Sequence, residues 1–148
     1  MRRYLNAIFG NRDVCRSLGE SIERNALSHA ILIEGDRGSG KRTLAKEIAK
    51  AMLCEERENS SFPLPCLGCR ACYLVENGLA TDLHFISRGD RATLGVDTVR
   101  EMIEDTTMSA TEFDHRIYIF EDAHTMTAGA QNALLKVLEE PPQNVFFI

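Results

Sequence analysis

The run Gly35-Asp36-Arg37-Gly38-Ser39-Gly40-Lys41 lies between a wholly apolar tetrad, Ala30-Ile31-Leu32-Ile33, and a stretch with apolar residues at helical spacing, Leu44, Ala45, Ile48, Ala49, Met52 and Leu53. A buried strand, a glycine-rich turn and a helix in immediate succession fit few architectures, chiefly the phosphate loop of parallel α/β proteins. Glycines let consecutive backbone N–H groups face an anion, and the helix N-terminus adds positive potential. Lys41 follows the last glycine, where an ammonium reaches the β and γ phosphates of a nucleotide. A glycine turn without a ligand is the bland alternative, and the strand and helix on either side weigh against it. Gly35, Gly38, Ser39, Gly40, Lys41, Arg42 and Thr43 are therefore candidate ATP-binding residues. One position departs from the pattern. The Ser or Thr whose hydroxyl would hold magnesium is replaced by Arg42, and Thr43 stands one place later, about 100° further round the helix. The spacing predicts nucleotide binding with an impaired magnesium site, and so weak or absent hydrolysis.

The same alternation continues along the chain. Val14, Leu18 and Ile22 predict a helix from about Asn11 to Arg24. Leu83-His84-Phe85-Ile86, Ile117-Tyr118-Ile119-Phe120 and Val145-Phe146-Phe147-Ile148 read as three further strands, making four with Ala30 to Ile33. Val96, Val99 and Ile103 mark a helix beginning around Asp97. Ala130, Leu134, Val137 and Leu138 mark another, capped by Thr127 and stopped before Pro141-Pro142. Strands alternating with helices imply an α/β fold, a P-loop NTPase parallel sheet flanked by helices. With 148 residues, one domain over 1–148 is expected, carrying a small cysteine-rich insertion at about 54–80. The last strand is apolar and nothing follows it, so the sheet reads as truncated and the chain as the front part of a longer protein.

Four apolar residues of the third strand run directly into Glu121 and Asp122. Acids at the C-terminal end of a parallel strand sit where ligands bind in open α/β sheets. In a Walker B site the first acid orients the magnesium shell and the second polarises the attacking water. The usual order is Asp then Glu, and here it is inverted. A methylene of reach at each position matters for catalytic positioning, so Glu121 and Asp122 are candidate catalytic residues of a site that the inversion predicts to be inactive. Two solvated acids at a strand end are the alternative.

Cys54, Cys66, Cys69 and Cys72 form C-x11-C-x2-C-x2-C. Four thiolates at such spacing suit tetrahedral zinc, and four protein ligands leave no open position, so the site would be structural. An iron–sulfur cluster and free thiols are the rivals. Cys15 falls outside the pattern and reads as an ordinary packed thiol.

Composition excludes other classes. Net charge is −5, so a dedicated nucleic-acid surface is not expected and any DNA contact is local or shared with partners. There is no apolar run of about eighteen residues to span a membrane. The basic start, Arg2-Arg3, lacks an apolar region after it, which predicts a cytoplasmic protein with reduced thiols. His29, His84, His115 and His124 are scattered and read as polar or packed residues; Met102, Met108 and Met126 read as packing. Lys136, Glu139 and Glu140 read as a solvated helix end.

Several stretches together resemble the bacterial clamp-loader family of AAA+ proteins. They are Ser28-His29-Ala30 before the phosphate loop, the four-cysteine insertion, Gly95-Val96-Asp97-Thr98-Val99-Arg100, and the run from Gln131 to Pro142, Gln-Asn-Ala-Leu-Leu-Lys-Val-Leu-Glu-Glu-Pro-Pro. The resemblance covers nearly the whole chain. It implies an AAA+ sheet followed by a helical lid and a collar domain. It also implies a DNA polymerase III clamp-loader complex, whose subunits use ATP to open a sliding clamp and place it on primed DNA. Gamma/tau-type subunits hydrolyse ATP; the delta-prime type is commonly a stator with a degenerate site. Arg42 and the inverted acid pair point to the delta-prime type, with a gamma/tau-like ATPase as the alternative. Other clamp-loader subunits (gamma/tau and delta), the clamp and primed DNA are the implied partners. By position, the adenine pocket of the family falls near Ile8, Phe9 and Gly10.

Overall fold

A computed structural model describes residues Arg2–Ile148. The chain divides into two compact units. One is built from the residues up to Ser28 together with Leu32–Thr81, and the other from His29–Ile31 together with Asp82–Ile148.

The first unit is helical. Helix α1 spans Arg12–Glu23, α2 spans Lys41–Leu53 and α3 spans Arg70–Glu76. Helix α2 packs against both of the others. Its sequence explains why it lies at the centre. From Ala45 to Leu53 every residue but Lys46 is buried, including the charged Glu47 and Lys50. The N-terminal residues strap this core: Leu5 donates its N–H to the Leu64 carbonyl at 2.8 Å, and Leu64 donates back to Arg3 at 2.9 Å. Arg2 fixes the strap from its side chain, donating to the carbonyls of Glu56, Arg57 and Phe62 and pairing with Glu23. The tyrosine between Arg3 and Leu5 lies across Gly19 of α1, and there is no room at that glycine for a Cβ.

The second unit carries the sheet. Strands β1 (Leu83–Ile86), β2 (Arg116–Phe120) and β3 (Val145–Phe147) are parallel, in the order β1-β2-β3. Register places Leu83 beside Ile117 and Tyr118 beside Phe147. Helices α4 (Val96–Asp105) and α5 (Ala128–Glu139) pack on each other. Their Val99, Met102, Ala130 and Val137 share one buried cluster with Tyr118, Val145 and Phe147 of the sheet. Thr127 caps α5 as its sequence predicts, accepting from the Ala130 N–H at 3.1 Å.

The expectation of four strands is corrected here. Ala30 to Ile33 contributes only one isolated bridge, Ala30 to Phe147. It is closed by Phe147 N–H to the His29 carbonyl at 2.8 Å and by Ile31 N–H to the Phe147 carbonyl at 2.9 Å. Leu32 is 75% exposed. A central parallel strand needs a ladder on both of its edges. Among the described residues this segment is paired along one edge only, and through a single partner residue. Helix α3 is the other difference. It arises in the cysteine-bearing stretch, to which apolar spacing assigned no helix.

Candidate functional site

The glycine loop belongs to the first unit. Gly38 and Gly40 adopt φ of 80° and 87°, left-handed values that a side chain would strain. Gly40 stands immediately before α2, so no side chain caps the first N–H groups of that helix, and its first turn holds no acid. An uncapped helix N-terminus of this kind is a ready acceptor of anions. Lys41 meanwhile turns back over the loop, donating from Nζ to the Gly35 carbonyl at 2.8 Å and the Asp36 carbonyl at 2.7 Å. Ser39 donates its N–H to the Asp36 carbonyl at 3.1 Å. The seven predicted loop residues are thus brought together, with Arg42 and Thr43 exposed on the first turn of α2. Of the residues suggested for adenine, Phe9 is 96% exposed, and Gly10 has φ of 93°.

The four cysteines form a second centre in the same unit. Cys54 directly follows α2, Cys69 caps the start of α3 and Cys72 lies on its first turn. Cys66 and Cys72 place their Sγ atoms 3.9 Å apart, Cys54 and Cys69 4.0 Å apart, and all four lie within 4.8 Å of one another. A tetrahedron with metal–sulfur bonds of about 2.3 Å puts its sulfurs about 3.8 Å apart, so the cluster fits a tetrathiolate metal. Backbone N–H groups already point at three of the sulfurs. Cys66 N–H reaches Cys54 Sγ at 3.5 Å, Cys69 N–H reaches Cys66 Sγ at 3.3 Å, and Cys72 N–H reaches Cys69 Sγ at 3.4 Å. Such donors favour thiolate over thiol. Hydrogen bonding to Cys72 brings the Cys54 thiol down to about 5, and the same bond together with burial pushes Cys72 up. Four thiolates this close would repel one another, and a cation among them would relieve that repulsion. These four residues could hold a metal ion; among the described residues no other cluster of His, Cys, Asp or Glu has that arrangement.

The acid pair belongs to the second unit. Glu121 donates its N–H to the Ile86 carbonyl at 2.8 Å, extending β2 alongside β1. Asp122 then turns the chain with φ 53° and ψ 47° and opens a short 3-10 turn, Ala123–Thr125. Its carbonyl accepts from the Thr125 N–H and hydroxyl, each at 2.8 Å. Its carboxylate lies 3.9 Å from Arg88 Nε. The second acid thus lies beside a cation.

Two features escaped the sequence reading. Glu47 and Lys50 are 3% and 5% exposed, and Lys50 Nζ bonds to Glu47 at 2.7 Å and also to Glu76. A lysine and a glutamate amid an otherwise apolar helix face, three positions apart, were the available signal. In the second unit, Asp82 is fully buried and accepts from the N–H groups of Thr111, Glu112 and Phe113. Arg116 bonds both carboxylate oxygens of Asp105, at 3.2 and 3.1 Å, and Tyr118 donates to Asp105 at 2.7 Å. His84 stacks on Tyr118 with ring centroids 4.9 Å apart, and His29 bonds the Leu138 carbonyl at 2.9 Å, so both histidines are packed groups.

Residues 10–148 match the family described as "DNA polymerase III, delta subunit". The chain is 34% identical over 141 residues to DNA polymerase III subunit tau of Bacillus subtilis, covering 95% of this chain and 24% of that protein. It is 36% identical over 135 residues to subunit delta' of the same organism, covering 91% of this chain and 40% of that one. The chain thus spans well under half the length of these relatives. Among solved structures it resembles a DNA polymerase III gamma subunit-related protein of Thermotoga maritima, with a TM-score of 0.57 and 25% identity over 89% of this chain and 37% of that one. Among the described residues, no helix is long and apolar enough to cross a membrane.

Proposed function

Because the chain belongs to the DNA polymerase III, delta subunit family, we propose that it is the nucleotide-binding portion of a cytoplasmic clamp-loader subunit of the delta-prime type. In this reading it is an AAA+ module that helps to load a sliding clamp onto primed DNA together with gamma/tau and delta subunits. The observation that carries the delta-prime assignment is the loss of catalytic equipment from a loop that keeps its phosphate-binding form. The left-handed Gly38 and Gly40 and the placement of Lys41 over the loop support an anion cradle, while Arg42 stands in place of the magnesium hydroxyl. Asp122, the residue that would polarise water, is paired with Arg88.

When bound, a nucleotide would place its phosphates at the N-terminus of α2, where Lys41 exchanges the Gly35 and Asp36 carbonyls for phosphate oxygens. Zinc, when bound, supplies a structural crosslink. Cys54, Cys66, Cys69 and Cys72 would hold it, and the N–H groups on their sulfurs would stabilise the thiolates. The cysteine stretch, about 54–80, is on this reading a zinc-binding insertion in one AAA+ domain.

The test is reconstitution. The full-length protein, mixed with gamma/tau and delta, should enter a complex that loads clamp onto primed DNA, while hydrolysing ATP by itself far below the usual enzyme range of about 1 per second or more. Failure to enter the complex would sink the clamp-loader reading. Rapid turnover by the isolated subunit would favour the gamma/tau-like ATPase instead, a reading supported by the intact glycine loop and by the likeness to tau.

A further inference from the structure

The four sulfurs come from two separate pieces of chain. Cys54 is fixed to the end of α2, while Cys69 and Cys72 ride on the start of α3. A tetrahedral site forms only if α3 is held at one angle and distance from α2. Thiol contacts restrain the beginning of α3. At its other end stands Glu76, the last residue of the helix. There Lys50 of α2 reaches the Glu76 carboxylate. Lys46, one turn earlier on α2, donates to the Glu76 carbonyl at 3.1 Å and lies 3.5 Å from its carboxylate. Behind Lys50, Glu47 supplies a second carboxylate at 2.7 Å and is itself 3% exposed.

This arrangement is costly as a source of stability. Burying an ammonium and a carboxylate sacrifices hydration that their attraction only partly returns, and apolar residues of similar size do as well or better. One oxygen of Glu47 also has no hydrogen-bond partner. What a buried ion group does provide in some proteins is a single orientation. Burial draws the Lys50 ammonium toward neutrality, yet its bonds to Glu47 and Glu76 outweigh this and hold its pKa above the ordinary lysine value, so the group is charged at neutral pH.

We propose that Glu47, Lys50 and Glu76 are positioning residues for the metal: a clamp between α2 and α3 that sets the distance from Cys54 to Cys69 and Cys72. The proposal rests on the metal reading of the cysteine cluster. It differs from that reading in assigning part of the metal's grip to residues that never touch it. Without the clamp α3 can pivot about its cysteine end, and the sulfurs spend part of their time outside bonding range.

The test uses the full-length protein loaded with zinc and a competing chromophoric chelator. The variants are Glu76→Ala, in which the altered side chain is 59% exposed, the double change Glu47→Met with Lys50→Met, which removes both buried charges together, and the exposed control Glu58→Gln. Zinc release should be about tenfold faster in the first two, in the range seen when groups supporting metal ligands are removed. It should be unchanged in the control. The unfolding midpoint of the metal-free protein should stay level or rise in the double variant, which separates positioning of the ligands from support of the fold. Equal release rates in all four proteins would overturn the clamp while leaving the metal site standing. A wild-type protein that takes up no tetrathiolate metal would overturn both.

Discussion

Lys41 donates from Nζ to the carbonyl of Gly35 at 2.8 Å, so the loop's own cation occupies the place from which it would greet a phosphate. Binding ATP must break this bond and the matching one to Asp36. Lys41→Ala should therefore weaken ATP binding about tenfold or more, because a charge-assisted bond to phosphate is stronger than the carbonyl bonds it replaces. Arg42→Thr should make binding more dependent on magnesium. Titration with a fluorescent ATP analogue, with and without magnesium, measures both. An Arg42→Thr protein indifferent to the metal would mean that hydroxyl placement is not what limits the site.

Metal analysis should find about one zinc per chain, with sulfur–metal distances near 2.3 Å. Chelation should speed hydrogen exchange in α3 and around Cys54 far more than in β1, β2 and β3, because no ligand lies on a strand. Uniform loosening of the sheet on chelation would contradict this placement.

Gly19→Ala should destabilise the protein, against the usual rule. In a helix interior that change ordinarily gains up to about 1 kcal/mol. Here the new Cβ would lie 2.2 Å from Cδ1 and 2.6 Å from Cβ of Tyr4, too deep in that residue for a tip movement to relieve. Overpacking of this kind costs about 1–3 kcal/mol and should win. Adding Tyr4→Ala should make Gly19→Ala harmless or favourable in a thermal unfolding series.

Asp82 sets an acid limit on the second unit. Burial works to raise its pKa, but the N–H groups of Thr111, Glu112 and Phe113 outweigh burial and hold it below the usual aspartate range. A depressed carboxylate pKa stabilises the fold fully above the unfolded value of about 3.9, and the contribution is lost as pH falls through the folded value. Asp82→Asn should cost about 3 kcal/mol at pH 7, leaving a buried donor group against three N–H donors. It should also flatten the loss of stability below about pH 4. Denaturant melts at several pH values would show it; parallel acid profiles for the two proteins would count against the assignment.

Periodicity made most of this fold legible. Helices α1, α2, α4 and α5, and strands β1, β2 and β3, lie within a residue or two of where apolar spacing put them. The cysteine spacing located the metal-competent cluster outright, because C-x2-C steps are local. Ala30 to Ile33 misled because an apolar run fixes neither burial nor pairing, both of which belong to the neighbours a segment finds; none of the four is fully buried and only Ala30 makes a bridge. Helix α3 was missed because seven residues are too few for a 3.6-residue repeat to stand out, and its start is fixed by a Cys69 side-chain cap. Lys50 and Glu76, or Asp82 and Thr111, meet across long stretches of chain, and a sequence shows charged residues only as charged, never as partnered.

The bridge from Ala30 to Phe147 has a consequence for the order in which the molecule is made. His29–Ile31 belongs to the second unit, yet most of the first unit is translated between it and the rest of that unit. On a ribosome adding about 5–20 residues per second, Ala30 waits on the order of ten seconds for its partner to emerge. The strap, α1, α2 and the cysteine stretch are meanwhile already made, and the backbone bonds described among them lie before Asp82. The nascent chain therefore carries, between two stretches of the helical unit, a short apolar segment still without its strand. That segment is the part of the front half that waits longest for its neighbour.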